Sequence, residues 1–309
     1  MTEPMSLSRS ATEQIQTARA AIEARLAQLL PIDSAAPPRL RDCLTHTLLA
    51  PGKRFRPLLT SLIAADLGAA QDGVIDVACA GEMVHTASLI LDDLPCMDDA
   101  PLRRNRASAH IAFDESTAIL SAVELLSRAF GVIARADDVS PERRAVLSSM
   151  LARTVGANGL IAGQLADLSN TDSAASVEEI ERLNQLKTGA LFDFAVLAAG
   201  HLAGANESVM DALAEFSKQL GLAFQLLDDV KDVMMSDAAA EKTTGRDVGK
   251  ATLVALTGNA ASLARLRKYL DDAKAALDRA GLSDGAVIAA MDVQFAFAHA
   301  AAGHENGNG

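Results

Sequence analysis

Aromatic residues are scarce in this chain: no tryptophan, one tyrosine and nine phenylalanines among 309 residues. Its core must be built mainly from aliphatic side chains. Cysteine is almost absent too. Cys43, Cys79 and Cys96 are odd in number and lack zinc-like spacing, which excludes a disulfide scaffold and fits a reducing cytoplasm. Alternating runs of β-branched residues are missing, which argues against a sheet-based fold. Basic residues are outnumbered, and the formal charge of −12 argues against nucleic acid as the main partner. An anionic substrate would need local cations or metal ions against that field. Residues 1–30 lack the basic start and continuous apolar stretch of a signal peptide. Apolar runs elsewhere meet charge, glycine or proline before they reach the length of a membrane span. A soluble protein without an integral membrane segment is expected.

Straight-chain helix formers dominate what is present, and the fold class expected is all-α. Helical patterns run over about 11–30, 39–49, 57–69, 73–93, 110–135, 141–167, 177–200, 206–233, 251–256, 260–279 and 285–301. Turn-forming segments separate them, and Ser140–Pro141 makes a good helix start. No linker divides the chain, so residues 1–303 are expected to form one helical domain, followed by a disordered tail, "GHENGNG", that ends over 304–309.

Two stretches break the apolar pattern. "SLILDDLPCMDD", residues 88–99, ends a hydrophobic helix on Asp92, Asp93, Asp98 and Asp99. "AFQLLDDVKD", residues 223–232, does the same with Asp228, Asp229 and Asp232. Isolated carboxylates are costly to desolvate, so they stay in water, pair with cations or bind metal. Asp228 and Asp232 share a helix face one turn apart. Pro95 stops the first helix and lets Asp98 reach back toward Asp92 from a loop. A solvated helix end accounts for either cluster alone. Two such helix ends, facing each other, suit Mg²⁺, which takes oxygen ligands and completes its shell with water and phosphate.

The basic residues are complementary. "GKRFRP" sets Lys53, Arg54 and Arg56 before Pro57, expected as the first helical residue, at a helix start suited to anions. "PLRRNR" places Arg103, Arg104 and Arg106 directly after the first acidic cluster, and guanidinium groups match phosphate oxygens in pairs. Each could be an ordinary basic loop; beside the acids they read as a Mg²⁺–diphosphate site.

"GKRFRP", "HTASLILDDLPCMDDAPLRR", "KTGALF", "GLAFQLLDDVKDV" and "GKATLVAL", in this order along nearly the whole chain, resemble the trans-isoprenyl diphosphate synthases. The likeness is greatest to bacterial short-chain geranylgeranyl and farnesyl diphosphate synthases. The resemblance implies an antiparallel helical bundle around a deep cavity, a homodimer, and head-to-tail condensation of isopentenyl diphosphate with an allylic diphosphate. It implies that Asp92 and Asp98, with Asp93 in support, hold Mg²⁺ from one side and Asp228 from the other, three ions in all. Asp229 and Asp232 would serve the second motif. Lys53, Arg56, His85 and Arg104 would bind isopentenyl diphosphate. Arg103, Lys187, Thr188, Gln225 and Lys242 would bind the allylic diphosphate, with Lys250 near the second-motif loop. Taken by themselves, His85 could be a satisfied core histidine, Gln225 a buried amide, and Thr188 a residue bonded within its own helix. Phe192 and Phe224 read as cavity wall or core.

The resemblance also makes Ala87 and Ser88, five and four residues before Asp92, the wall that limits product length. Both are small, which favours a twenty-carbon product over a fifteen-carbon one. A floor from Leu120, Val123 and Glu124 on the facing helix would oppose this. The chain departs from the family pattern at Asn105, Ala107, Ala122 and Val123, and in lacking a basic C-terminal tail; no expected metal ligand is lost. A terpene cyclase or head-to-head synthase leaves "GKRFRP" and His85 without a purpose. A non-catalytic partner subunit would not need both acidic motifs.

Overall fold

The computed structural model describes residues 9–30, 36–169, 176–238 and 253–296. Lys242, Lys250 and the tail at 304–309 lie outside the described residues. Contacts divide the chain into two compact units: residues 1–152 with 198–205 and 285–287, and residues 153–197 with 206–284 and 288–309.

In the first unit, α1 (Arg9–Leu29), α2 (Pro38–Leu48), α3 (Phe55–Asp66), α4 (Gln71–Asp92), α5 (Ala109–Ala112), α6 (Glu115–Ala134) and α7 (Pro141–Val155, whose last three residues belong to the second unit) are helical. The helix α4 packs along α6 and α3. The expected helix over 110–135 is broken, because Asp114 caps α6 by accepting from the Thr117 N–H at 2.6 Å. The helix α3 begins two residues earlier than expected, at Phe55. Pro57 is then the third helical residue, where its missing N–H still costs no intrahelical bond.

A feature absent from the helical reading is a hairpin of β1 (Leu102–Arg103) and β2 (Arg106–Ala107), with Arg103 opposite Arg106. Its two turn residues, Arg104 at φ 53° and Asn105 at φ 59°, are both left-handed, the requirement of a type I′ turn. Asparagine tolerates that backbone, which explains why Asn105 can replace the family's glycine.

The second unit holds α8 (Leu160–Ser169), α9 (Val177–Asn184), a π-helical turn (Gln185–Gly189), α10 (Ala190–Ala203, whose last turns belong to the first unit), α11 (Glu207–Ala238), α12 (Leu253–Thr257), α13 (Asn259–Arg279) and α14 (Ala286–Gln294). The expected helix over 141–167 is interrupted at 156–159. A Cβ on Gly159 would lie 2.1 Å from the Thr154 carbonyl oxygen, so only glycine permits that turn. Phe192 is fully buried and packs against Phe224 with ring centroids 5.2 Å apart and planes tilted by 54°, as core packing.

By length and composition four helical stretches, 73–92, 115–134, 141–168 and 177–203, are apolar enough to cross a membrane. In the first, 67% of the apolar window is buried inside the protein, and Asp76 and Glu82 interrupt it with ion pairs to Arg25 and Arg54.

Candidate active site

The first acidic motif sits where α4 ends. Its loop folds back: the Asp98 N–H donates to the Asp92 carbonyl at 2.9 Å, and the Ala100 N–H to that of Asp93 at 3.2 Å. Asp98 is exposed and Asp92 half-buried. Asp93 is different. It is buried, and the Arg103 guanidinium donates to it at 2.5 and 3.0 Å, so in this structure it is paired with an arginine. Burial alone would lower the Arg103 pKa; the bonds to Asp93 and the charges of Asp93, Asp92 and Asp98 outweigh it and raise it.

Arg54 also departs from expectation. The sequence groups it with Lys53 and Arg56 as an anion-binding cation, yet its guanidinium points inward, fully buried. It donates to Glu82 at 2.7 Å, to Glu23 at 2.8 Å, and to the Leu48 and Ala50 carbonyls at 2.9 Å each. Its backbone is left-handed at φ 50°, which turns the side chain away from its neighbours Lys53, exposed, and Arg56, half-buried. Arg104 approaches the same Glu82 at 3.7 Å. A Cβ on Gly52 would meet the Arg104 guanidinium at 2.9 Å, so this glycine clears the space the arginine uses.

His85 lies half-buried on α4. Its pKa falls well below 6.5 through burial and then through the positive charges of Arg56, Arg104, Arg103 and Arg54. The imidazole is therefore a neutral hydrogen-bonding group at neutral pH, next to cations that attract an anion. Arg56, Arg104 and His85 are thus brought together; Lys53 is exposed at the same helix start. Ala87 is fully buried, and the half-exposed Ser88 donates from Oγ to the His85 carbonyl at 2.9 Å. The residues expected as a floor lie on the exposed side of α6. Leu120 and Val123 are 61% and 53% exposed, and Glu124 accepts from Arg128 at 2.6 Å. The face of α6 that is buried carries Ala118, Ser121, Ala122, Leu125 and Ala129.

In the second unit the π-helical turn carries Lys187 and Thr188. Such turns recur at functional sites because the extra residue re-aims side chains. Close backbone packing holds this one: a Cβ on Gly163 of α8 would lie 2.4 Å from the Lys187 nitrogen, and one on Gly221 of α11 would lie 3.1 Å from the Gly189 Cα. Lys187 Nζ donates to Asp167 at 2.6 Å. Thr188 Oγ1 donates to the side-chain Oε1 of Gln225 at 2.7 Å, and Gln225 Nε2 donates to Asp229 at 2.9 Å. Three expected site residues thus form one chain rather than three separate buried groups. Asp228 and Asp232 are exposed one turn apart on α11. Gln185 and Ser217 both donate to Asp193, at 3.0 and 2.5 Å, bracing the turn from behind; burial raises the Asp193 pKa.

Sequence reasoning missed Glu82, Asp167 and Asp193. Glu82 carried a signal, an acid inside the apolar run of α4 three residues before His85. Asp167 and Asp193 had none, since their partners are fixed by packing.

Both motifs supply oxygen ligands of the kind Mg²⁺ takes. Among the described residues no three His, Cys, Asp or Glu side chains converge to hold a metal unaided. That donor set suits an ion whose shell is completed by water and a substrate phosphate.

A family model described as polyprenyl synthetase matches residues 37–280. The chain belongs to the polyprenyl synthetase family. It is 47% identical over 270 residues to a geranylgeranyl diphosphate synthase of Pantoea ananas, covering 85% of this chain and 86% of that one. It is 36% identical over 242 residues to a farnesyl diphosphate synthase of Bacillus subtilis, covering 77% and 82%. Among solved structures it resembles a Helicobacter pylori geranyltransferase complexed with magnesium and isoprenyl diphosphate, with a TM-score of 0.82, 28% identity, and coverage of 94% and 99%. Fold and enzyme class follow: this polyprenyl synthetase is an all-α prenyltransferase of the short-chain trans type.

Proposed function

We propose that the chain makes geranylgeranyl diphosphate by successive head-to-tail condensations of isopentenyl diphosphate with allylic diphosphates. The observation that carries the product length is the pair of small residues, Ala87 and Ser88, before the first acidic motif. The 47% identity to a synthase of that product supports it.

Arg103, Lys187, Thr188 and Gln225 hold the allylic diphosphate, with Lys242. Lys53, Arg56, His85 and Arg104 hold the diphosphate of isopentenyl diphosphate. Asp92, Asp98 and Asp228 would hold three Mg²⁺ ions, as resemblance implies, and these ions supply charge stabilisation to the departing diphosphate. The Arg103 and Lys187 cations add to that stabilisation, and each leaves a carboxylate partner, Asp93 or Asp167, to do so. Departure of the diphosphate breaks the allylic C–O bond and leaves a carbocation. The double bond of isopentenyl diphosphate donates its electron pair to that carbon, and a proton then passes to the released diphosphate. An apolar, closed cavity would exclude the water that quenches the cation. We place the enzyme in the cytoplasm as a homodimer.

Mass spectrometry of the products from isopentenyl and dimethylallyl diphosphates is the test. A predominant twenty-carbon product is expected, and Ala87→Tyr should shorten it to fifteen. A fifteen-carbon product from the unaltered protein defeats the assignment in favour of farnesyl diphosphate, the product made by the Bacillus subtilis relative.

A further inference from the structure

The hairpin that carries Arg103 and Arg104 is too small to hold itself in place. Each strand has two residues, far below what an isolated hairpin needs. Beneath it lies a cavity of about 40 Å³ lined by His46, Thr86, Asp93, Arg103, Arg104 and Arg106. That is room for a water or two, and Thr86 Oγ1, buried, has no protein partner there. The hairpin is therefore not supported by solid packing from below. The Arg103–Asp93 and Arg104–Glu82 contacts also hold it, but these use the guanidinium groups that must turn to a substrate.

One attachment does not. His46, in the last turn of α2, places Nε2 2.8 Å from the Ala107 carbonyl. A carbonyl only accepts, so Nε2 carries the hydrogen and Nδ1 is the acceptor. Arg106 donates to that Nδ1 at 2.8 Å and to the His46 carbonyl at 3.2 Å. Three bonds thus join one residue of α2 to both residues of β2. The imidazole is itself seated edge-on against Phe113, at 5.6 Å between centroids, and Arg39 covers that phenyl ring at 5.9 Å while bonding Asp114 at 2.6 Å.

We propose that His46 and Arg106 are positioning residues, a clasp that fixes β2 so that Arg103 and Arg104 keep their places when their guanidinium groups move from Asp93 and Glu82 to diphosphate. This rests on the reading of those arginines as diphosphate-binding groups. It also gives Arg106, exposed and next to them in sequence, a task other than binding substrate.

His46→Phe keeps a ring against Phe113 and removes both polar atoms; Arg106→Met removes the fork. Each should raise the KM for both substrates and weaken binding of inorganic pyrophosphate roughly fivefold to tenfold, as expected for the loss of one or two net hydrogen bonds. The kcat should change less than about twofold. The double variant, which loses one bond more than either single one, should fall well short of the product of the two losses, because both singles remove the shared Arg106–His46 ring bond. His46→Gln, which retains a donor and an acceptor, should restore most of the binding. Amide hydrogen exchange at 103–107 should quicken in both single variants. Unchanged exchange and KM in His46→Phe overturn the clasp, as does a double variant whose losses multiply. Arg104→Ala separates the two readings: if it leaves both KM values unchanged the diphosphate assignment fails, while faster exchange in His46→Phe still upholds the clasp.

Discussion

The two units pair the cations of their basic segments with carboxylates in opposite ways. In the first, Arg54 and Glu82 form a pair with side-chain exposures of 0% and 2%, and Arg104 draws on the same carboxylate. In the second, Lys187 and Asp167 meet at the same short range but are 30% and 29% exposed. A buried charge that loses its partner has no water to replace it, whereas a half-exposed one does. The first arrangement makes the site part of the protein's stability. The second leaves its lysine able to change partners at little cost.

The largest effect should come from acids in each unit. Asp92→Ala and Asp228→Ala should each lower turnover by orders of magnitude with the far-UV helical signal intact. If both serve one cluster of ions, the double variant will be far less damaging than the product of the two losses. Robust turnover in excess chelator would remove the metal from the account.

Stability tests the contrast directly. Arg54→Met should destabilise the fold by about 3–5 kcal/mol, because it leaves the buried Glu82 with only the longer contact to Arg104, whereas Lys187→Met should cost about 1 kcal/mol or less. Urea denaturation measures both. Equal losses would erase the distinction.

Smaller effects should divide by substrate. Arg56→Ala and His85→Ala are expected to raise the KM for isopentenyl diphosphate, and Lys187→Ala to weaken the allylic substrate or slow its ionisation. Each loses a charge-assisted bond of about 1.5–3 kcal/mol. Should both classes impair only one substrate, the division of the two diphosphate sites is wrong.

The smallest effect is in pH. Because the folded-state pKa of His85 lies well below 6.5, the unfolded chain binds more protons in the window below 6.5. Stability should then rise with pH through that window and level off above it. Replacing His85 with Asn should flatten the rise; an unchanged profile would show that another group governs it.

Helix content was legible because apolar spacing and the scarcity of strand formers are local properties. The α4 acids could be placed on a helix end for the same reason, since Pro95 acts within a turn. The α11 acids could be placed on one face from the i, i+4 spacing of Asp228 and Asp232, but α11 runs on to Ala238 and does not end on them. The breaks at Asp114 and at 156–159 were harder. One depends on a side chain choosing to cap, the other on how closely Gly159 approaches Thr154. Both looked like continuous helix in hydrophobic pattern alone.

The sequence by itself determined the all-α class, the two acid motifs and the basic segments around them, because residue type and short spacing suffice for each. Only the tertiary structure decided which charge does what. Arg54 turns inward to residues 28 and 31 positions away, Asp93 takes Arg103 rather than standing beside Asp92, and Lys187 finds Asp167 across two helices. It also folded "RRNR" into a two-residue turn clasped to α2. A side chain's charge is written locally, but its partner is chosen by desolvation: a group that packing buries must be matched by whatever opposite charge the chain brings within about 3 Å.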